Sequence, residues 1–284
     1  MTTWKPVTST GRGRELGGEL RRLRERAHYS GHELARKVGW NPAKISRMET
    51  GKCEPSEVDV AIFLTSCGVS GDELKRLLDM ATETSEGYWY RQHDQQLPDE
   101  LRSLVVQENT AETITDLELT RIPGLLQDEH YARALIVGAG IVPPEGIEPR
   151  VEARMARQSL LKRRDPPRCV FYIHEHAFRL TVGSDEVMRH QIWHLLMATS
   201  HPRCAIRVIP VAAGAHAGMA GPFRFLEFYE HKPMVYVENE TSSLFLEEEQ
   251  HIETYRKVLN QLSEVAMDAA QSREWLADLV SEYD

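Results

Sequence analysis

Cysteine is scarce in this chain. Only Cys53, Cys67, Cys169 and Cys204 occur among 284 residues, and no two form a Cys-x-x-Cys pair. No histidine stands at finger spacing from them, which excludes a zinc finger and a disulfide framework and leaves reduced, structural thiols. Long apolar runs are missing too: the stretch 134–142 falls far short of the roughly 20 residues that span a bilayer, and the N-terminus has no hydrophobic signal region. A cytoplasmic protein with no membrane partner is expected. There is no Gly-x-Ser-x-Gly elbow and no paired-carboxylate spacing. Gly214-x-x-x-Gly218-x-x-Gly221 lacks both the Gly-Lys-Ser/Thr end of a P-loop and the strand-then-helix setting of a dinucleotide fingerprint. It reads as a flexible loop between strands, with a lid over a pocket left open. His174-Glu175-His176 leaves a strand end with its rings on opposite faces if the strand continues, which is poor for chelation. No catalytic residue, cofactor or metal site is expected, and the chain reads as a binding protein, not an enzyme.

What is present is an ordinary globular composition, 41% apolar and 27% charged, long enough for two cores. The net charge of −9 is unevenly spread: residues 1–55 carry twelve Lys and Arg against six Glu, a net of +6, which leaves −15 for the remainder. One end suits a polyanion and the other does not.

Residues 1–14, rich in Thr, Ser and Gly, read as an arm that places Arg12 and Arg14 just before the first helix. Two readings stay open, an arm reaching phosphates or a minor groove and a plain disordered tail. From Leu16 the apolar stripe Leu16, Leu20, Leu23, Ala27 predicts a helix. Ser30 with Glu33 predicts a capping box, and Leu34, Ala35 and Val38 the buried face of a short second helix ending at Gly39. Asn41 caps a third helix with Pro42 at its first position and Gly51 as its stop. Only Ile45 and Met48 in it are large and apolar, so most of its surface is left for a partner. A fourth helix is lined by Val58, Ala61, Ile62 and Thr65, and a fifth by Leu74, Leu77, Leu78 and Ala81.

The run Ser30-x-x-Glu33-Leu34-Ala35-x-x-x-Gly39-x-x-x-x-x-Ile45-Ser46-x-x-Glu49-x-Gly51-Lys52-x-x-Pro55 resembles the Xre (lambda repressor-like) helix-turn-helix domain over about 55 residues. The resemblance implies a transcriptional regulator whose third helix enters the major groove of double-stranded DNA. It puts Pro42, Ala43 and Arg47 over base edges, with Arg47 as the chief discriminator, and Asn41 and Lys44 near the backbone. Gly31, His32, Thr50 and Lys52 are the further phosphate contacts. One reading helix covers a half-site, so a homodimer on a two-fold operator is expected.

Beyond a polar linker at 85–97 whose Tyr88-Trp89-Tyr90 docks onto the second unit, helical periodicity runs through Leu101, Val105, Glu108, Ala111 and Ile114. Helices follow near 128–137 and 147–163. Residues 169–173 and 206–209 read as strands around an amphipathic helix, a parallel βαβ unit. Residues 223–228 and 234–237 read as an antiparallel hairpin added to it. A helical tail from 247 to 283, broken near Ser272, ends the chain. The expected fold is a mainly α, five-helix module at 1–84 followed at 98–284 by an α/β (α+β) domain with a small mixed sheet and a helical tail. This half, through Ile122-Pro123-Gly124-Leu125-Leu126-Gln127, Tyr131-Ala132-Arg133-Ala134, Arg157-Gln158 and Val235-Tyr236-Val237-Glu238, resembles the C-terminal domain of actinobacterial Xre regulators of the Scr1 antitoxin-like group. That resemblance implies a small protein partner encoded nearby. A small-molecule effector held between the βαβ unit and the helical layer is the other expectation for this half.

Overall fold

A computed structural model describes residues 9–53, 55–82, 88–92, 99–229 and 231–283. The N-terminal module is five helices: α1 (Gly11–Arg26), α2 (Gly31–Val38), α3 (Pro42–Glu49), α4 (Glu57–Ser66) and α5 (Gly71–Thr82). Their shared core holds Leu16, Leu20 and Leu23 of α1, Leu34 and Ala35 of α2, Ile45 and Met48 of α3, and Leu77 of α5. On α4 the buried face is Val60, Phe63 and Leu64, while Val58 and Ile62, expected inside, are exposed. The bulky Phe63 sets that face: three large side chains outweigh a stripe that includes Ala61 and Thr65.

The arm expectation is overturned for Arg12 and Arg14. Thr10 accepts a hydrogen bond from Gly13 N and caps α1 at Gly11, so both arginines lie in its first turns, and both are buried. Residues 1–8 of that stretch lie outside the described residues. Glycines weigh against helix by propensity, but here contact requires them. A Cβ on Gly17 would stand 2.6 Å from the carbonyl oxygens of Met48 and Glu49, so only glycine lets α1 lie directly on the end of α3.

The second unit contains β1 (Tyr88–Gln92), α6 (Asp99–Thr110), β2 (Thr113–Glu118), α7 (Glu129–Ala139), α8 (Pro144–Arg157), β3 (Arg168–His174), the single turn α9 (His176–Arg179), α10 (Asp185–Ala198), β4 (Cys204–Ile209), β5 (Phe223–Glu227), β6 (Met234–Glu238), β7 (Ser242–Leu246), α11 (Glu249–Val265) and α12 (Ala269–Val280). The seven strands form one mixed sheet in the order β1-β7-β6-β5-β2-β3-β4. The unit β3-α10-β4 is parallel and β5-β6 antiparallel, as the sequence predicts. Three strands, β1, β2 and β7, escape the sequence reading. β2, taken as the end of a helix, is the pivot of the sheet, parallel to β3 and antiparallel to β5. Tyr88–Gln92, taken as linker, is a strand paired with β7; the remaining linker positions, 85–87 and 93–97, lie outside the described residues.

Side chains alternate across the strands. Ile114, Phe171, Ile173, Ile206, Val208 and Leu226 face one core, shared with Ile192 of α10 and Leu276 of α12. Leu117, Tyr172, Ile209, Phe225 and Val235 face another, covered by Ile252 and Leu262 of α11. Cys169 and Cys204 are register partners on β3 and β4 but form no disulfide, and burial pushes their thiols up to about 12 and about 11, which suppresses thiolate chemistry.

The helical tail breaks at residues 266–268, not near Ser272. Asp268 and Gln271 form a capping box that starts α12, and Ser272 lies inside that helix. Its hydroxyl accepts from Val208 N at 2.9 Å while Met267 N donates to Val208 O at 2.9 Å, so the tail satisfies part of the sheet edge at β4. The loop 214–221 packs Gly218 against Leu117 and Leu262, so it seals the α11 core and is not a lid. β3 stops at His174 and α9 begins at His176, so their rings do not diverge: they lie 4.7 Å apart, and His216 stacks 5.7 Å from His174. Among the described residues no group of three His, Cys, Asp or Glu side chains is placed to hold a metal ion.

Candidate nucleic-acid interface

Helix α3 is short, well capped and asymmetric. Asn41 Oδ1 accepts from Ala43 N at 2.8 Å, and Pro42 occupies the first helical position, where no acceptor exists for an N–H. Ile45 and Met48 are buried, whereas Pro42, Ala43, Ser46, Arg47 and Thr50 are exposed. Positions 43, 46, 47 and 50 recur at helical spacing, so they form one continuous face. Ser46 escapes the sequence reading, although its place three residues from Ala43 and four from Thr50 is the available signal.

The helix is braced from behind. Arg24 of α1 forks onto the Glu49 carboxylate with Nε to Oε1 at 2.6 Å and a second bond of 2.9 Å, and its third nitrogen donates to Tyr29 O at 2.7 Å. Gly51, in the left-handed region at φ 66°, ends the helix against the backbone of Gly13 and Arg14, where a Cβ would stand 2.6 Å from their atoms. Bidentate Arg–carboxylate geometry fixes orientation as well as distance. The presented face is thereby held in one position on α1.

The surrounding candidates are placed as follows. Gly31 and His32 are the first two residues of α2, whose amide hydrogens have no intrahelical acceptor and are therefore open to a phosphate oxygen. The Ser30 and Glu33 capping box closes as the sequence predicts, with bonds of 2.7 and 3.2 Å, and this keeps the Glu33 carboxyl below its usual range. Thr50 donates its hydroxyl to Ser46 O at 2.7 Å and keeps lone pairs and exposure, and Lys52 is exposed just beyond the helix. Lys44 is engaged elsewhere, 2.6 Å from Asp59 Oδ1 and 4.0 Å above the Trp40 ring. A half-exposed ion pair of this kind is worth about 0.2 to 1 kcal/mol, so a phosphate can displace Asp59 at small cost.

Arg12 and Arg14 take no place in this interface. Arg12 Nε donates to Met80 O at 3.2 Å. Arg14 donates to Gln107 Oε1 at 2.9 Å, lies 3.6 Å from Glu247 and stacks 4.3 Å from the Phe228 ring, and burial pulls its guanidinium down to about 10. Both were counted as free positive charge for a polyanion. Other arginines of the N-terminal unit are likewise spent internally, Arg22 and Arg26 on Glu73 and Arg24 on Glu49. On the face of α3 itself, the positive charge presented to a partner is the exposed Arg47.

Comparison with known families divides the chain where the structure does. Residues 15–77 match the family described as Helix-turn-helix domain, and residues 101–278 match Domain of unknown function (DUF5753). No curated protein and no solved structure matches the chain. The helical module is thus a helix-turn-helix domain of the DNA-binding regulator kind, and no helix among the described residues is long and apolar enough to cross a membrane.

Proposed function

The chain belongs to the DUF5753 family, and from that premise we propose that it is a sequence-specific transcriptional regulator of the Xre type, reading double-stranded DNA through α3 and modulated through its family domain. The supporting observation is the exposed face of α3, with Arg47 at its centre and Ile45 and Met48 anchoring the reverse side. Arg47 donates in a fork to guanine O6 and N7, Pro42 and Ala43 offer apolar contact to a thymine methyl, and Ser46 reaches either kind of base. The α2 amides, Thr50 and Lys52 hold the phosphates and set the register. Because α3 covers one half-site, the protein binds a two-fold operator as a homodimer.

Genomic fragments retained by the full chain and then titrated at physiological salt test this. A retained fragment bound at least about tenfold more tightly than bulk DNA is expected. Equal affinity for all fragments removes sequence-specific regulation.

A second reading, antitoxin-like capture of a small basic protein by the C-terminal unit, has one support, the net charge of −15 beyond residue 55. Co-purification from the native host either yields a stoichiometric partner or removes that reading.

A further inference from the structure

A cavity of about 180 Å³ lies between the sheet and α8. Its floor is the sheet face bearing Glu118 of β2, Arg224 of β5, and Tyr236 and Glu238 of β6. Its wall is one stripe of α8, where Arg150, Arg154 and Arg157 recur at i, i+4 and i+7, and Arg121 joins them from the loop after β2. Leu104 and Ile136 give it an apolar end. The space admits on the order of a dozen water-sized atoms.

Most of these cations have carboxylates. Arg224 is bound by Asp116 and Glu108, Arg157 lies 3.1 Å from Glu108, and Arg121 lies 3.1 Å from Glu118. Arg154 is different. It donates to the neutral amide oxygen of Gln127 at 2.7 Å, and its Nε is fully buried with no acceptor. A buried guanidinium N–H without an acceptor is costly, and its persistence needs a reason. Desolvation and the neighbouring Arg157 and Arg121 pull Arg154 down to about 10 against the opposing charges of Glu238 and Glu118, and burial pushes the Glu118 carboxyl up to about 7. The cavity as it stands holds excess positive charge and an unfilled fork of donors.

We propose that this cavity binds a small organic anion, whose carboxylate or phosphoryl oxygens accept from Arg154 and whose remainder lies toward Leu104 and Ile136. Guanidinium forks match such oxyanions in geometry as well as charge. The site has a direct line to the DNA-binding unit. Glu108 of α6 joins Arg157 to Arg224 at the cavity, and the adjacent Gln107 holds Gly11 and Arg14 at the start of α1. An anion that draws Arg157 from Glu108 loosens the segment of α6 on which α1 is hung. That regulatory consequence rests on the proposed regulator; the binding site does not.

The test is titration of the DNA-free full chain with inorganic phosphate, succinate and glycerol 3-phosphate at constant ionic strength, read by calorimetry and by melting temperature, with potassium chloride as the blank. At least one oxyanion is expected to bind at one site per chain, and Arg154→Gln to weaken it at least tenfold. Arg154→Lys, which keeps the charge and loses the fork, falls between, and Arg203→Gln, an exposed arginine remote from the cavity, leaves it unchanged. Preference for the two phosphoryl probes over succinate assigns a phosphoryl ligand, and the reverse a carboxylate. The absence of both heat and a melting shift with every probe overturns the proposal, as does undiminished binding by a folded Arg154→Gln. DNA titration of the same preparation separates the two readings: selective DNA binding without oxyanion binding removes the cavity proposal alone, and oxyanion binding without DNA selectivity removes the regulator alone.

Discussion

Gln107 and Arg14 meet across 93 positions of sequence, with Arg14 Nε donating to Gln107 Oε1 at 2.9 Å in a buried contact. The same glutamine donates Nε2 to Gly11 O at 2.8 Å, Glu247 accepts from Gly11 N at 2.7 Å, and Ser103 donates to Glu15 at 2.5 Å. The first turn of the helix-turn-helix module is therefore clasped by the family domain. On the far side of that turn, Gly13, Gly17 and Gly51 bring α1 against the reading helix. A polar clasp of this kind is sensitive to removal of a single member, because each deletion leaves buried partners unsatisfied.

Gln107→Ala is expected to cost about 1 to 3 kcal/mol, since it leaves the buried Arg14 Nε without its acceptor and removes the Gln107 bond to Gly11 O. Urea unfolding followed by far-ultraviolet circular dichroism then shows the two units melting in separate steps where the native chain melts in one. A single transition with an unchanged midpoint shows that the clasp contributes nothing.

Arg47→Ala is expected to lower affinity for the operator by about 1 to 3 kcal/mol and affinity for random DNA far less. Fluorescence anisotropy on both DNAs over a range of salt measures this. Equal losses on the two removes Arg47 from base reading and makes it a phosphate contact.

Gly17→Ala places a methyl 2.6 Å from two carbonyl oxygens of α3, so the helices must separate. A cost of about 1 to 3 kcal/mol is expected from overpacking. The loss of operator affinity exceeds that of a control, Gly68→Ala, where the cost is backbone strain at φ 80° with no atom within 4 Å of the added methyl. Comparable operator affinities for the two folded variants sink the idea that α1 positions α3.

Glu118→Gln tests the electrostatics of the cavity floor. Burial raises the folded carboxyl to about 7 from an ordinary 4.5, against the pull of Arg121 and Arg224 and with the push of Asp116. Between those values the folded chain holds a proton that the unfolded chain releases, so this group's contribution is full below 4.5 and is lost as pH rises through 7. The native chain thus loses more stability between pH 5 and 8 than Glu118→Gln does, measured by denaturant midpoints. Parallel pH profiles contradict the assignment.

The reading helix and its supports were open to sequence analysis because caps, turns and a narrow apolar edge are local signals. Ser30, Glu33, Asn41, Pro42, Ile45 and Met48 act within a few residues of themselves. The βαβ unit and the hairpin were legible for the same reason, as short runs rich in aromatic and β-branched residues around a helical stripe. β2 was not, because Asp116, paired with Arg224, and Glu118, on the cavity floor, replace apolar residues at alternate positions, which erases the strand signature. β7 was hidden by its serines, Ser242 and Ser243, which are buried polar residues in a paired strand.

Sequence alone determined that a helix-turn-helix module leads the chain, that α3 carries Arg47 on a face with little hydrophobic demand, and that the charge is segregated between the two ends. Tertiary structure alone decided what the charges do. Arg12 and Arg14 look identical to DNA-binding arginines in a count of residues, yet Met80, Gln107, Glu247 and Phe228 claim them, from positions 68 to 233 residues away. Arg154 looks like any helical arginine, yet packing gives it a neutral amide as partner and buries its Nε without an acceptor. The physical reason is common to both: caps and periodicity are set by neighbours in sequence, whereas the free energy of a charge is set by whatever the fold brings within a few ångströms of it.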